Sequence, residues 1–196
     1  MALEAVDLSG RFVELVPLRR EHHDDLVEAV KDGGLWRLWY TIIPDPEGMA
    51  AEIEHRLGCQ AAGTMLPFTV IERATAQVVG MTTYMNIDLH APRVEIGATW
   101  YAARVQRTPL NTEAKLLLLS HAFDDLGCHG VEFRTHFLNH QSRRAIERLG
   151  AELDGVLRQN MRLRNGTIRD TCVYSIIASE WPAVRAGLNW HLEKAH

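Results

Sequence analysis

Cysteine is scarce in this chain: Cys59, Cys128 and Cys172 are three, scattered and odd in number. Such a set builds no disulfide framework and fits reduced thiols in a cytoplasmic protein. No stretch approaches the roughly 18 consecutive apolar residues of a membrane span. The opening "MALEAVDLSGRFVELVPL" lacks the basic region and long apolar run of a signal peptide. Positive charge is also in short supply. With 21 Lys and Arg against 25 Asp and Glu, the formal charge of -4 argues against a nucleic-acid partner, which needs a basic surface. Ten histidines invite a metal, yet neither HExxH nor Cys-x-x-Cys occurs, and the expectation is no metal. No cysteine stands in a recognisable nucleophile setting, so covalent catalysis through a thiol is not expected. Repeats, low-complexity tracts and linkers are missing too, and residues 1–196 read as one domain.

What is present alternates between strand and helix patterns. "GRFVELVPL" reads as a strand from Arg11 to Leu18, and "RREHHDDLVEAVKDG" as a helix with Leu26, Val27 and Val30 on one face, ending at Gly33 and Gly34. "PDPEGMAAEIEHRLGCQAAG" reads as a second helix opened by Pro-Asp-Pro. "PFTVIER", "QVVGMTTYMNIDL" and "RVEIGATWY" are β-rich. In the last, simple alternation puts Val94, Ile96, Ala98 and Trp100 on one face and Glu95, Gly97 and Thr99 on the other. A long helix follows from Pro109 to Leu126, then the strand "GVEFRTHF" and a helix beginning near "NHQSRRAIERLG". Asn165-Gly166 predicts a tight hairpin, and "SEWPAVRAGLNWHLEKA" a closing helix. Strand–helix–strand over residues 93–137 requires a parallel pair within an otherwise antiparallel sheet. The fold class is therefore α/β (α+β).

The turn "RVQRTPLN" joins a strand to a helix without a glycine. A helix start presents unpaired N–H groups and the positive end of the helix dipole, which together suit an anion. Pro109 fits the first helical turn. Arg107 and Thr108 add a cationic fork and a hydroxyl.

Three stretches, "VEIGATWYAARVQRTPLNTEAKLLLLSHAF", "NHQSRRAIERLGAELDGVLRQNM" and "RDTCVYSII", resemble the GNAT superfamily of acyl-CoA N-acyltransferases, in particular its RimJ/RimL-type branch. The likeness extends from Arg11 to about Trp181 in motif order and spacing. It implies the GNAT fold, a mixed and mostly antiparallel central sheet flanked by helices. It also implies acetyl-CoA (coenzyme A) as acyl donor and a primary amine as acceptor: a protein N-terminus, an amino acid or another small amine. The family's turn pattern, Gln/Arg-x-x-Gly-x-Gly/Ala, binds the coenzyme A pyrophosphate. Gln106 matches its first position, while Pro109 and Asn111 depart from its small residues. The N–H groups of Arg107, Thr108, Leu110, Asn111 and Thr112 survive as donors, helped by the Arg107 and Thr108 side chains. The resemblance further implies that Asn139 hydrogen-bonds the pantetheine and Ser142 lies near the thioester sulfur. Read from the residues alone, Asn139 caps a helix and Ser142 occupies its first turn.

Attack of an amine on a thioester needs a deprotonated amine, a donor to the carbonyl oxygen and help for the departing thiolate. A splayed strand around Trp100, Tyr101 and Ala102 would supply an unpaired N–H. Ser142 is the candidate beside the thiolate, with Tyr174 second. Glu95 is the candidate base, directly or through water; a salt-bridged surface glutamate is the competing reading. Trp36, Trp39 and Tyr40 fall where relatives form the acceptor wall, and core packing is the competing reading for them. A homodimer through exposed sheet edges or the helix bearing Trp181 and Trp190 is compatible with this pattern. A non-catalytic acyl-CoA-binding or regulatory protein on the same scaffold is the alternative function.

Overall fold

The computed structural model describes residues 3–194. In chain order its elements are β1 (Leu8–Ser9), β2 (Val13–Pro17), α1 (His23–Lys31), α2 (Met49–Ala61), β3 (Met65–Glu72), β4 (Gln77–Asp88) and β5 (Arg93–Tyr101). Then come α3 (Pro109–Ser120), β6 (Gly130–His136), α4 (His140–Glu147), β7 (Glu152–Arg162), β8 (Ile168–Ile177) and α5 (Trp181–Glu193). The strands form one sheet in the order β1-β2-β3-β4-β5-β6-β8-β7. Neighbours are antiparallel except β5 and β6, which α3 joins as a crossover. This is the mixed sheet that the strand–helix–strand order requires.

Two neighbouring threonines on β4 show how the helices divide between the faces. Thr82 bonds Lys115 of α3, while Thr83 bonds Arg56 of α2. Successive strand residues point to opposite faces, so α1 and α2 cover one face and α3 covers the other. Tyr84 shares the α3 face, donating to the Leu118 carbonyl at 2.5 Å. The core includes Leu15, Phe68, Tyr84, Val94, Ile96, Leu118, Val131 and Phe133, all buried.

Several boundaries differ from the sequence pattern for local reasons. Pro-Asp-Pro precedes α2 instead of opening it, because Asp45 Oδ1 takes the Gly48 N–H at 2.7 Å and closes a separate turn first. The helix from Pro109 stops being α-helical at Ser120 and widens into a π-helical turn over His121–Asp125. The Asn165-Gly166 hairpin exists, but five residues separate β7 from β8. Asn165 Oδ1 accepts from the Thr167 N–H, and Gly166 supplies the left-handed φ of 84°.

The two-residue strand β1 is invisible to any periodicity. It is fixed from afar by Glu113 of α3, whose buried carboxylate accepts the backbone N–H groups of Arg11, Phe12 and Val13 at 2.7, 2.6 and 2.9 Å. A Cβ on Gly10 would lie 2.3 Å from Glu113 Cδ, so this approach needs glycine.

Candidate active site

The parallel ladder between β5 and β6 is short. It pairs Arg93 with Gly130, Val94 with Val131 and Glu95 with Glu132, and there it ends, although both strands continue. On its other edge β5 stays paired with β4, but the register slips. Thr83 faces Gly97 and Met81 faces Trp100, so Ala98 and Thr99 together oppose Thr82. That is a β-bulge. Ala98 adopts a left-handed φ of 47°, costly for a residue with a Cβ, and is exposed.

The bulge changes which groups meet the gap. Ala102 donates its N–H to the Val79 carbonyl at 2.8 Å, so by strand alternation Trp100 also faces β4 and Tyr101 faces away. Of the strand-end donors expected from sequence, Trp100 and Ala102 are therefore directed to β4, and Tyr101 remains. The bulge residues Ala98 and Thr99 lie beyond the last β5–β6 pair, a position that the amino-acid pattern does not single out. The slip also moves Trp100 onto the face of Glu95 and Gly97, and Thr99 onto that of Val94 and Ile96. Thr99 Oγ1 accordingly lies 2.8 Å from Thr82 Oγ1. Trp100 Nε1 and Tyr101 Oη are buried without a hydrogen-bond partner among the described residues.

At the end of β5 the chain enters the glycine-free turn. Gln106 turns back and its amide donates to the Tyr101 carbonyl at 3.1 Å. Arg107 is exposed and adopts φ 63°, the conformation a glycine would take without strain. Thr108 is the N-cap of α3, accepting from Leu110 N–H at 3.4 Å while its hydroxyl donates to the Val105 carbonyl at 2.7 Å. Its side-chain proton is thus committed, which corrects its reading as a hydroxyl donor to phosphate. Pro109 occupies the first helical position. Thr112 lies one turn in, and its buried hydroxyl accepts from Arg148. Leu110 is therefore spent as a donor, on the Thr108 hydroxyl. Arg107, Thr108 and Asn111 keep N–H groups with no acceptor among the described residues. Beside this helix start lies a hollow of about 290 Å³ whose lining includes Arg11, Arg73, Thr108 and Pro109. Arg11 and Arg73 lie some 35 to 100 residues away in sequence from the turn, which is why no local motif reveals them.

Glu95 projects onto the α1–α2 face and is only 6% exposed. Asn86 Nδ2 donates to its Oε2 at 2.6 Å, and Arg134 Nε lies 3.6 Å from the same oxygen. Burial raises the Glu95 carboxyl above its ordinary value, while Asn86 and Arg134 pull it back. Register places Glu132, Arg134 and His136 of β6 on this face as well. His136 accepts the Leu138 N–H at its Nδ1, which leaves Nε2 as the protonated nitrogen of the neutral ring. Trp39 and Tyr40 pack against that ring with centroids 5.3 and 6.1 Å away. Two of the three aromatics expected at the acceptor wall thus meet β6. Trp36 does not join them: it stands beside Gly33, Gly34 and Arg37, its Nε1 buried and unpartnered among the described residues.

Asn139 is the N-cap of α4 and accepts the Ser142 N–H at 3.1 Å. Its amide NH₂ and the half-buried Ser142 hydroxyl have no partner among the described residues. Tyr174 lies elsewhere, fully buried under α4. Its hydroxyl donates to Glu147 Oε1 at 2.8 Å and accepts from Arg143 Nε at 2.9 Å, and burial raises its pKa. A phenol so engaged is a poor acid for a thiolate, which corrects its place as the second candidate. Among the described residues no group of three or more His, Cys, Asp or Glu side chains is arranged to hold a metal ion.

A bulged strand, a truncated parallel ladder and an open helix start converge at the C-terminal end of β5. Residues 13–152 match the family model described as "Acetyltransferase (GNAT) domain". The chain belongs to the GNAT family. A GCN5-related N-acetyltransferase from Brucella melitensis shares 31% identity with this GNAT protein, at a TM-score of 0.87 over 98% of this chain and 87% of that one. Mycobacterium smegmatis RimJ, solved with CoA-disulfide, has the same fold at 20% identity and a TM-score of 0.79, covering 95% and 93% of the two chains. The Bacillus subtilis (strain 168) protein named "Putative ribosomal N-acetyltransferase YdaF" is 30% identical over 102 residues, 52% of this chain. The match spans 55% of that relative's length. No helix among the described residues is long and apolar enough to cross a membrane.

Proposed function

We propose that this protein is an acetyl-CoA-dependent N-acetyltransferase that transfers the acetyl group directly to a primary amine. The observation that carries this reading is the register slip at Ala98–Thr99 beside the end of the β5–β6 ladder. On this reading it would turn backbone donors toward the gap beyond the end of that ladder. The residues present suit coenzyme A: the free N–H groups of Arg107, Thr108 and Asn111 and the Arg107 guanidinium would hold the pyrophosphate. The uncommitted Asn139 amide and the Tyr101 N–H would meet the pantetheine amides.

In the reaction the amine nitrogen forms a bond to the carbonyl carbon, the C–S bond breaks, and the thiolate leaves. The Ala98 and Thr99 N–H groups would take the developing charge on the carbonyl oxygen. Glu95 would accept the amine proton, directly or through water. A carboxylate raised by burial is a better base near neutrality than an ordinary one. The Ser142 hydroxyl would donate a hydrogen bond to the sulfur. Trp39, Tyr40 and His136 would form one wall for the acceptor, which we propose is a peptide N-terminus or a small amine in the cytoplasm. The ribosomal relative supports the peptide.

Thermal denaturation with acetyl-CoA, followed by thiol release with a panel of amines and free-N-terminus peptides, tests the reading. Acetyl-CoA at a hundred times its Kd should add about 2.7 kcal/mol of stability. Binding without turnover on any amine would favour a non-catalytic acyl-CoA binder. Absence of any shift would remove coenzyme A from the site.

A further inference from the structure

Arg56 lies in the middle of α2 and is 2% exposed, the largest fully buried side chain among the described residues. Its guanidinium makes three bonds. Nε meets Glu52 Oε1 at 2.7 Å on the same helix, Nη1 donates to Thr83 Oγ1 at 2.6 Å, and Nη2 donates to the Ala98 carbonyl at 3.2 Å. A buried ion pair is rarely the most stable way to fill a core, since apolar residues of similar volume often serve as well or better. The last bond supplies a different reason for an arginine.

Ala98 is the left-handed residue of the β5 bulge. The peptide joining it to Thr99 is planar and trans, so holding the Ala98 carbonyl on Arg56 also fixes the direction of the Thr99 N–H. Hydrogen bonding of a carbonyl to a cation in a dry environment also polarises its peptide and strengthens the N–H as a donor. From the other face of the sheet, Lys115 Nζ of α3 donates to Thr99 Oγ1 at 3.1 Å and reaches Thr82 Oγ1 at 3.4 Å. The bulge is thus gripped by one buried basic side chain on each face, and neither touches the open edge.

We propose that Arg56 is a positioning residue for acyl transfer, acting through the Ala98–Thr99 peptide to orient and polarise the N–H that receives the thioester carbonyl. Lys115 holds the Thr99 side chain in register from behind. The proposal rests on the acetyl-CoA reading above.

The test uses the full chain with acetyl-CoA carrying ¹³C at the carbonyl, followed by infrared difference spectroscopy, together with Arg56→Met and the milder Arg56→Lys. In the unmodified protein the bound carbonyl band should fall below its position in water. In Arg56→Met it should return toward the solution value, with kcat lowered tenfold or more and the Kd for CoA, which has no acetyl group, changed less than twofold. Arg56→Lys should lie between, and carries the comparison if the methionine variant does not fold. A wild-type band and kcat in these variants would overturn the proposal. So would a loss of CoA affinity as large as the loss of rate, which is the mark of a purely structural arginine. If the unmodified protein does not bind acetyl-CoA, the functional reading itself fails, and this is seen before any variant is made.

Discussion

The Asn86 side chain donates to Glu95 Oε2 at 2.6 Å, closer than the Arg134 guanidinium at 3.6 Å from that oxygen. The bond favours the ionised carboxylate, whereas burial favours the neutral acid. The acid limb of kcat/KM should therefore lie above the ordinary glutamate range. Removing the bond in Asn86→Ala raises the carboxyl further, so the limb should move to higher pH. Glu95→Gln should lower kcat by about a hundredfold, within the usual range for a general base, and abolish that limb. A pH–rate profile of the three proteins checks both, and an unmoved limb in Asn86→Ala would remove Glu95 as the titrating group.

Lys115 gives a stability prediction that is independent of activity. Burial lowers its ammonium from 10.5 to about 7. Between those values the unfolded chain binds the proton and the folded chain does not, so stability contributed by this group rises with pH across that window. The slope reaches about 1.4 kcal/mol per pH unit for one proton. Below pH 7 the full cost of burying the charge is present. Urea titrations of the native protein and Lys115→Met should show the variant's advantage shrinking between pH 7 and 10. A constant difference would mean that Lys115 titrates normally.

The turn allows two substitutions with opposite expected signs. Arg107→Ala should weaken CoA binding by about tenfold, as loss of a charge-assisted contact to phosphate would. Pro109→Gly restores an N–H where the family has glycine and should tighten CoA binding several-fold. It also frees the unfolded chain and should cost about 0.4–1 kcal/mol of stability. Calorimetric titration with CoA separates the two, and equal affinities throughout would place the pyrophosphate elsewhere.

Ser142 and Tyr174 should separate cleanly. Ser142→Ala should lower kcat while leaving acetyl-CoA affinity within about twofold, since the hydroxyl meets the sulfur only as charge develops there. Tyr174→Phe unpairs Glu147 and Arg143 under α4 and should destabilise the fold by about 1–3 kcal/mol. Equal turnover in Ser142→Ala would dismiss the serine from the chemistry.

Much of the architecture is legible in the sequence because its signals are local. Gly33 and Gly34 both take positive φ where α1 stops, Asn139 caps α4, and the 93–137 segment forces the parallel pair. The register slip at Ala98 is not legible. A small residue between Gly97 and Thr99 leaves the apolar alternation looking intact, and the phase change exists only in the pairing with β4. Nothing local marks Arg56 and Lys115, because their burial depends on which strands the helices meet. The Thr108 hydroxyl reads locally as a phosphate donor. The Val105 carbonyl, brought within 2.7 Å by a turn of 3-10 helix, takes its proton instead. Trp36 diverges from Trp39 and Tyr40 because a short 3-10 turn over Leu35–Arg37 separates their directions.

The carboxylate of Glu113 takes the N–H groups of Arg11, Phe12 and Val13 across chain separations of 102, 101 and 100 residues. During synthesis the first hairpin is complete as a sequence long before its three N–H groups find that acceptor. Its early strands must wait, with those donors in water, until more than half of the chain has been made. Non-local closure of this kind slows folding. The start of α3, proposed above to hold coenzyme A, is thus also the latch on the oldest part of the nascent chain.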